Sequence, residues 1–525
     1  MATRSPSWLN DAVFYQIYPQ SYCDSNGDGI GDIRGIISKL DYIQSLGVNA
    51  IWLNPCFVSP FQDAGYDIAD YYMIAPRYGT NADMRSLLRQ AHRRGIKICL
   101  DLVPGHTSIQ HPWFKKSCQA KKNKYTDRYI WTPSVWQRGD GSTQMINGYA
   151  ERNGNYATNF FYCQPALNYG YANPDPKYPW QQPVNAPGPA AARQELIKII
   201  DFWLKQGVDG FRVDMAHSLV KNDPDRKETI KLWQESHARI RKEYPEVVFI
   251  AEWGNPAESL AAGFNLDFMM HFGVRGYPEL LLDADCFFRR RGGRDINAFL
   301  KPYLEFAAGT EGSGLISIPS ANHDFKRPAS DGRKQADLKV IFTFLLTWPG
   351  VPFIYYGDEI GMRFLPKLVS KEGGYDRTGT RTPMQWDDRQ NAGFSTADSN
   401  ALYIPIDPRR TRPTVKTQDN DPHSLLNHVR RLIALRKCAK SLQAAGNLIP
   451  IYTGPNRPQF VYLRESGQER FLVALNPSSA AAEIKLDGIK TGDKACEIGH
   501  GIRAFSDGNG TVLEMSGISY GVFKL

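Results

Sequence analysis

The 525-residue chain has no uninterrupted apolar stretch approaching the ~18 residues that a membrane-spanning helix needs, so no membrane partner is expected. It has no run of five like charges either, and its formal charge of +9 is spread over 63 basic and 54 acidic residues, which argues against a nucleic-acid partner. The densest basic cluster, Arg289–Arg291 with Arg294, reads as a solvated surface loop. The opening stretch MATRSPSWLNDAVFYQIYP lacks a basic segment followed by a continuous apolar one, so neither a secretory leader nor an anchor is expected. Eight cysteines are present (Cys23, Cys56, Cys99, Cys118, Cys163, Cys286, Cys438 and Cys496), but no two form a CxxC pair or a tight disulfide-like spacing. That usage points to a reducing, cytoplasmic location.

What is present is an ordinary enzyme-like balance, 42% hydrophobic and 22% charged residues, enough to bury a sizeable core. Eight short β-rich runs recur: Val13–Tyr18, Ala50–Leu53, Ile98–Val103, Gly210–Val213, Val247–Ala251, Leu266–Met270, Leu315–Ile318 and Pro352–Tyr356. Amphipathic helical patterns alternate with them over Ile36–Leu46, Asn81–Arg94, Ala191–Gln206 and Ala336–Leu346. Gly47, Gly95 and Gly207 stand at helix-to-strand joints where a left-handed cap is wanted. Eight such units imply an α/β fold, a (β/α)8 TIM barrel. The expected division is a barrel from 1–105 and 190–444, an inserted subdomain after strand three over 106–189, and a C-terminal all-β sandwich over 445–525.

In such a barrel the active site lies at the carboxyl ends of the strands. Three of those ends carry acids, in Gly210-Phe-Arg-Val-Asp214, Ile250-Ala-Glu252 and Asn322-His-Asp324. Arg212 and Asp214 are two apart on a strand and share a face, so the guanidinium is expected to favour ionised Asp214, as a nucleophile requires. Glu252 follows the apolar run Val247-Val-Phe-Ile-Ala and precedes Trp253, surroundings expected to raise its pKa, as a general acid requires. Two carboxyl groups in opposed environments, held ~5–5.5 Å apart, cleave a glycosidic bond with retention through a covalent glycosyl-enzyme.

The segments Val13–Pro19, Gly47–Pro55, Gly210–Asp214, Ala251–Trp253 and Asn322–Asp324 closely resemble glycoside hydrolase family 13, the α-amylase family, across about residues 8–440. The resemblance implies Asp214 as nucleophile, Glu252 as acid/base and Asp324 as a transition-state-stabilising aspartate. It further implies that Asp63, Tyr66, His106, Arg212 and His323 hold the reacting sugar, and that Arg327 clamps it. Gln164–Asn168, Arg381–Trp386 and Asn391–Phe394 look like the oligo-1,6-glucosidase, α-glucosidase and trehalose synthase branch, which releases or moves one glucosyl unit. The expected activity is therefore that of an exo-acting α-glucosidase on short α-glucoside oligosaccharides. An α-glucosyl transferase or isomerase is the alternative, with an endo-acting α-amylase behind it. The intact acid set argues against a catalytically dead sugar-binding relative. Met215, just after Asp214, is neither the valine of α-1,6-preferring relatives nor the smaller residue of α-1,4-preferring ones, and leaves the linkage open; the oligomeric state is open too.

A second signal is Asp24-Ser-Asn26-Gly-Asp28-Gly-Ile30-Gly-Asp32, whose oxygen ligands follow the first part of a calcium loop. Gly35 stands where an EF-hand supplies a bidentate glutamate, so an EF-hand is not expected. By resemblance the loop is the metal loop after the first strand in the oligosaccharide-acting branch. It implies a structural Ca2+ or Mg2+ held by Asp24, Asn26, Asp28, the Ile30 carbonyl and Asp32, with no organic cofactor. Gly105 replaces the asparagine usually found before the third-strand histidine, which argues against an interdomain calcium site.

Overall fold

The computed structural model describes residues 6–270, 274–491, 496–506 and 508–525. Residues 1–5, part of the opening stretch read for a leader, lie outside them.

Eight parallel strands form the barrel: β1 (Phe14–Ile17), β2 (Ala50–Leu53), β3 (Lys97–Leu102), β4 (Gly210–Val213), β5 (Val248–Ala251), β6 (Leu266–Phe268), β7 (Leu315–Ser317) and β8 (Phe353–Tyr355). Each pairs with its sequence neighbour, and β8 pairs with β1. A single parallel bridge, Pro319 to Phe353, links β7 to β8 and closes the ring. The strands sit within two residues of the expected runs; the differences fall at their ends, where a β pattern does not say which residues still find a pairing partner.

Alternation along the strands sorts the side chains into two cores. Tyr15, Ile51, Leu100, Phe211 and Phe249 face the helices and join the main apolar core. Phe14, Trp52, Cys99, Val248, Ile250, Phe268 and Phe353 face inward and fill the barrel. Phe353 stacks on Phe14 at 4.4 Å and meets Phe268 edge-on at 4.8 Å, forming an aromatic plug. Gly210 is needed at this level: a Cβ there would lie 2.4 Å from the Val248 carbonyl oxygen. One step further along the same inward parity come Gln16, Asp101 and Arg212, then Asp214 and Glu252. Polar residues therefore begin where the plug ends.

The surrounding helices include α1 (Ile33–Ser38), α2 (Leu40–Leu46), α3 (Asn81–Arg93), α4 (Pro187–Lys205), α5 (Lys227–Arg241), α6 (Pro256–Ala261), α7 (Asn297–Gly309), α8 (Gln335–Thr347) and α9 (Leu425–Cys438). The helix expected over Ile36–Leu46 is broken at Lys39 into α1 and α2, and α1 starts at the N-cap Asp32, whose side chain accepts the Gly35 amide. Gly47, at φ +87°, closes α2 as expected. On α4, Leu196, Ile199, Ile200, Trp203 and Leu204 are all buried, and the helix begins at Pro187, four residues before the apolar stripe announces it.

Residues 106–186 are mostly irregular, with one short helix (Pro112–Ser117) and a two-stranded ladder pairing Met145–Ile146 with Tyr156–Ala157. Bridges from His106 to Ala166 and from Lys221 to Tyr171 tie this stretch to the ends of β3 and β4. After α9 the chain forms an antiparallel sheet of β9 (Asn447–Tyr452), β10 (Phe460–Ser466), β11 (Glu469–Asn476), β12 (Ala482–Asp487), β13 (Ile498–Ser506) and β14 (Gly510–Lys524). Long β14 pairs with β11, β12 and β13. Val461 and Leu472 on one part of this sheet share a core with Ile484 and Leu513 on the other, so a single sheet supplies both layers.

Candidate active site

Arg212 is the pivot of the barrel mouth. Register places it beside Asp101, and only 2% of its surface is exposed. Its Nη1 lies 2.9 Å from Asp101 Oδ1 and 3.2 Å from Asp214 Oδ1, while Nη2 lies 2.7 Å from Glu252 Oε1. One cation thus serves three carboxylates. The expected lowering of the Asp214 pKa does not follow: burial, then the adjacent Glu252 charge, push it well up against the partial pull of Arg212.

The surroundings expected for Glu252 also differ. Residues of its apolar run point into the plug or the outer core, and the Trp253 indole N–H donates to Glu258 at 2.7 Å. The Glu252 carboxylate instead takes Arg212 on Oε1 and the Met215 amide on Oε2 at 2.8 Å. Met215 delivers that amide from a left-handed conformation, φ 41° and ψ 44°, which costs a non-glycine residue ~1–2 kcal/mol. The Ala216 amide donates to the Glu252 carbonyl at 3.1 Å, so the turn after β4 wraps the end of β5.

Asp324 sits in a turn made by Asn322, whose Oδ1 accepts the Asp324 amide at 2.7 Å. Its Oδ1 is 2.8 Å from Arg377 and 3.2 Å from Arg381; its Oδ2 is 3.1 Å from His323 Nε2. The Gln16 and Asn54 side-chain amides both donate to His323 Nδ1 at 3.1 Å, which assigns the proton to Nε2. Burial lowers His323 to about 3, so it is a neutral donor. Burial would raise Asp324, but the His323 N–H and the two arginines outweigh it and hold the carboxyl well below its usual range.

Tyr66 stacks on His323, 5.4 Å between centroids, and donates to Asp101 Oδ2 at 2.9 Å. Asp63 accepts from Gln164 Nε2 at 2.8 Å and lies 3.7 Å from Arg377; burial pushes its carboxyl up to about 7. His106 Nε2 meets the Tyr66 carbonyl at 3.1 Å, and burial lowers this ring to about 4. Asp63, Tyr66, His106, Asp214, Glu252, His323 and Asp324 line one cavity of about 250 Å3. Arg212 lies directly beneath it.

Arg327 is not there. It is 1% exposed, with Nη1 on the Tyr356 carbonyl at 2.6 Å and on Asp358 at 2.8 Å, its guanidinium over the Tyr355 and Tyr356 rings. It braces the end of β8 and the turn after it, away from the cavity lining. The cations on the cavity wall are Arg377 and Arg381. Arg381 stood in a recognised motif, whereas Arg377 lies in a short 3-10 helix, Tyr375–Thr380, that no sequence pattern announced. Phe160, Gln164, Met215 and His217 complete the lining.

Gly105 also finds its explanation here. A Cβ at this position would lie 2.6 Å from Asn159 Nδ2. Asn159, from the inserted stretch, contacts His106 Nδ1 at 3.3 Å and takes Lys221 Nζ on its Oδ1 at 3.1 Å. An amide side chain from the insertion thus packs against the bare Gly105 backbone.

In the loop after β1, Asp24 Oδ1 accepts the Asn26 amide, Asn26 Oδ1 the Asp28 amide and Asp28 Oδ1 the Ile30 amide, three successive turns each closed by a side-chain oxygen. The donor chemistry, all hard oxygens, fits Ca2+ or Mg2+. Asp32 is drawn toward Ser25 and the Gly35 amide, and among the described residues no three acidic, histidine or cysteine side chains converge on a common point for a metal.

Residues 16–445 match the α-amylase catalytic domain. An oligo-1,6-glucosidase from Parageobacillus thermoglucosidasius is 34% identical, aligned over 91% of this chain and 92% of its own. An α-glucosidase from Culex pipiens is 32% identical over 93% and 85%, and a trehalose synthase/amylase from Mycobacterium tuberculosis is 34% identical over 82% and 75%. Among solved structures, a mutant isomaltulose synthase from Erwinia rhapontici NX5 in complex with D-glucose superposes with a TM-score of 0.82 at 27% identity, covering 99% of both chains.

Proposed function

The chain belongs to the α-amylase family of glycoside hydrolases, and from that premise we propose that it is an exo-acting, retaining α-glucosidase of short oligosaccharides. The observation that carries this reading is one small cavity in which Asp214 and Glu252 share Arg212 while Asp324 is held ionised by Arg377 and Arg381. About 250 Å3 is below the ~300–1,000 Å3 of typical small-molecule sites, room for one sugar ring rather than a chain.

Asp214 attacks the anomeric carbon while Glu252 protonates the departing glycosidic oxygen. Glu252 then takes a proton from the water that releases glucose. Burial and the adjacent Glu252 charge push Asp214 up, and Arg212, paired to both carboxylates, opposes that push. In the productive arrangement Glu252 turns from Arg212 and the Met215 amide toward the glycosidic oxygen, which leaves Arg212 to keep Asp214 ionised. Asp324, always ionised, stabilises positive charge developing on the ring. Asp63, His106 and His323 accept and donate to its hydroxyls, with Tyr66 under one face.

Turnover of a chromogenic α-glucoside tests the reading, followed by product analysis on maltose, isomaltose, sucrose, trehalose and starch. Glucose alone from the short substrates supports it. New disaccharides would replace hydrolysis by transfer to a sugar hydroxyl, the second reading, with which the similarity to a trehalose synthase and to an isomaltulose synthase is compatible.

For the loop after β1 we keep a structural Ca2+ or Mg2+ on Asp24, Asn26, Asp28, the Ile30 carbonyl and Asp32. It would tie the loop together without touching the sugar. The melting temperature should fall on chelation and recover on adding Ca2+; no change would remove the metal. The eight cysteines are all free, which supports a cytoplasmic location.

A further inference from the structure

A second concavity, about 920 Å3, lies between residues 326–335, 361–366 and 409–418. Its walls carry seven cations, Lys326, Arg333, Lys334, Arg363, Arg409, Arg410 and Arg412, and one acid, Asp331. Buried Asp407 beneath it pairs with Arg363 at 2.7 Å and Arg409 at 3.1 Å. The other five have no ion pair among the described residues. Arg333 spends its donors on the carbonyls of Leu281, Phe288 and Pro328, and Arg412 on those of Asp407 and Arg409, with its buried Nε left without an acceptor. Lys326, Lys334 and Arg410 are exposed side chains on two separate segments.

Gathering like charges in one concavity costs free energy unless an anion repays it. We propose that this groove binds a small polyanion carrying at least two phosphate groups. Its volume falls within the ~300–1,000 Å3 range of small-molecule sites, whereas a nucleic-acid surface would be an extended stripe of charge. Guanidinium groups take phosphate oxygens bidentately, and cations contributed by separate segments suit a ligand with more than one anionic group. The proposal does not depend on the glucosidase reading, since it concerns binding at residues outside the catalytic cavity.

The test is calorimetric titration of the full-length protein with inorganic pyrophosphate at ~0.15 M ionic strength, where surface charges are screened beyond ~8 Å. Inorganic phosphate and a duplex DNA oligonucleotide are run as separate arms. Saturable pyrophosphate binding, at least tenfold tighter than phosphate and weakened at least tenfold by Lys334→Glu with Arg410→Glu, is the expected result. Absence of saturable pyrophosphate binding to the unaltered protein overturns the proposal. So does an affinity that the folded double variant leaves unchanged, or a DNA affinity that exceeds that for pyrophosphate.

Discussion

The two concavities carry opposite excesses of charge. Around the catalytic cavity three arginines (Arg212, Arg377, Arg381) face five acids (Asp63, Asp101, Asp214, Glu252, Asp324), and every cation is held within 3.2 Å of at least one of them. In the basic groove most cations have no acid at all. The first arrangement suits a neutral sugar that becomes positive as its bond breaks; fixed negative charge then stabilises the transition state more than the ground state. The second suits a ligand that arrives with its negative charge. The pairing pattern, more than the number of charged residues, tells the two sites apart.

The largest break in this comparison should come from Asp214→Asn, which removes the nucleophile. A loss of about 10⁴-fold or more in kcat/KM on a chromogenic α-glucoside is expected. Unchanged turnover would place the chemistry elsewhere. Arg377→Gln comes next: Asp324 keeps Arg381 but loses its 2.8 Å partner, and Asp63 loses its nearest cation. A fall of about 10²-fold in kcat/KM, with little change in melting temperature, is expected. A variant that merely melted earlier at full activity would make Arg377 a structural brace.

The contrast between Arg377 and Arg327 also shows where the sequence was legible. Short β-rich runs and glycine caps announced the barrel strands, and the strand-end position of Asp214, Glu252 and Asp324 brought them to one mouth. Arg327 misled because an offset from a motif residue says nothing about a chain that turns away. Arg377 was invisible because its segment has no period and reaches the cavity only through the tertiary fold, with Glu372 and Tyr375 in left-handed conformations. The environments of Asp214 and Glu252 failed for a related reason. Neighbours along the chain predicted them, whereas the partners that matter, the Glu252 carboxylate for Asp214 and the Met215 amide for Glu252, arrive from the pairing of β4 with β5 and from a strained turn. Gly105 read as a missing ligand, and the residue packed against it, Asn159, lies 54 positions further along.

Asp63 sharpens the electrostatic side. Burial raises it to about 7, so its ionised form, the one that accepts sugar hydroxyls, is lost as the pH falls through neutrality. The acid limb of kcat/KM should therefore lie near pH 7. Asp63→Asn should lower the plateau by about tenfold to 10²-fold and shift or flatten that limb. An unaltered limb would assign it to Asp214, which burial also pushes up. Smaller still is Gly105→Ala, whose Cβ would displace Asn159 and with it a contact to His106. Overpacking of this kind costs about 1–3 kcal/mol, read from the denaturant midpoint, and activity should fall a few-fold. Full stability and activity would mean that Asn159 yields without consequence.

The smallest expected effect bears on whether the two concavities are independent. Lys326 is only two residues from Asp324, yet the residue after it, Arg327, is anchored to Asp358 and the Tyr356 carbonyl and fixes the turn that separates the two side chains. Arg410 sits on another segment, and at ~0.15 M salt its field is screened within ~8 Å. Arg410→Glu should therefore change kcat/KM on a neutral glucoside by no more than about twofold while altering pyrophosphate binding. A tenfold change in hydrolysis would mean that charge in the groove reaches Asp324 through the 325–330 turn, and the two sites would then have to be treated as one electrostatic unit.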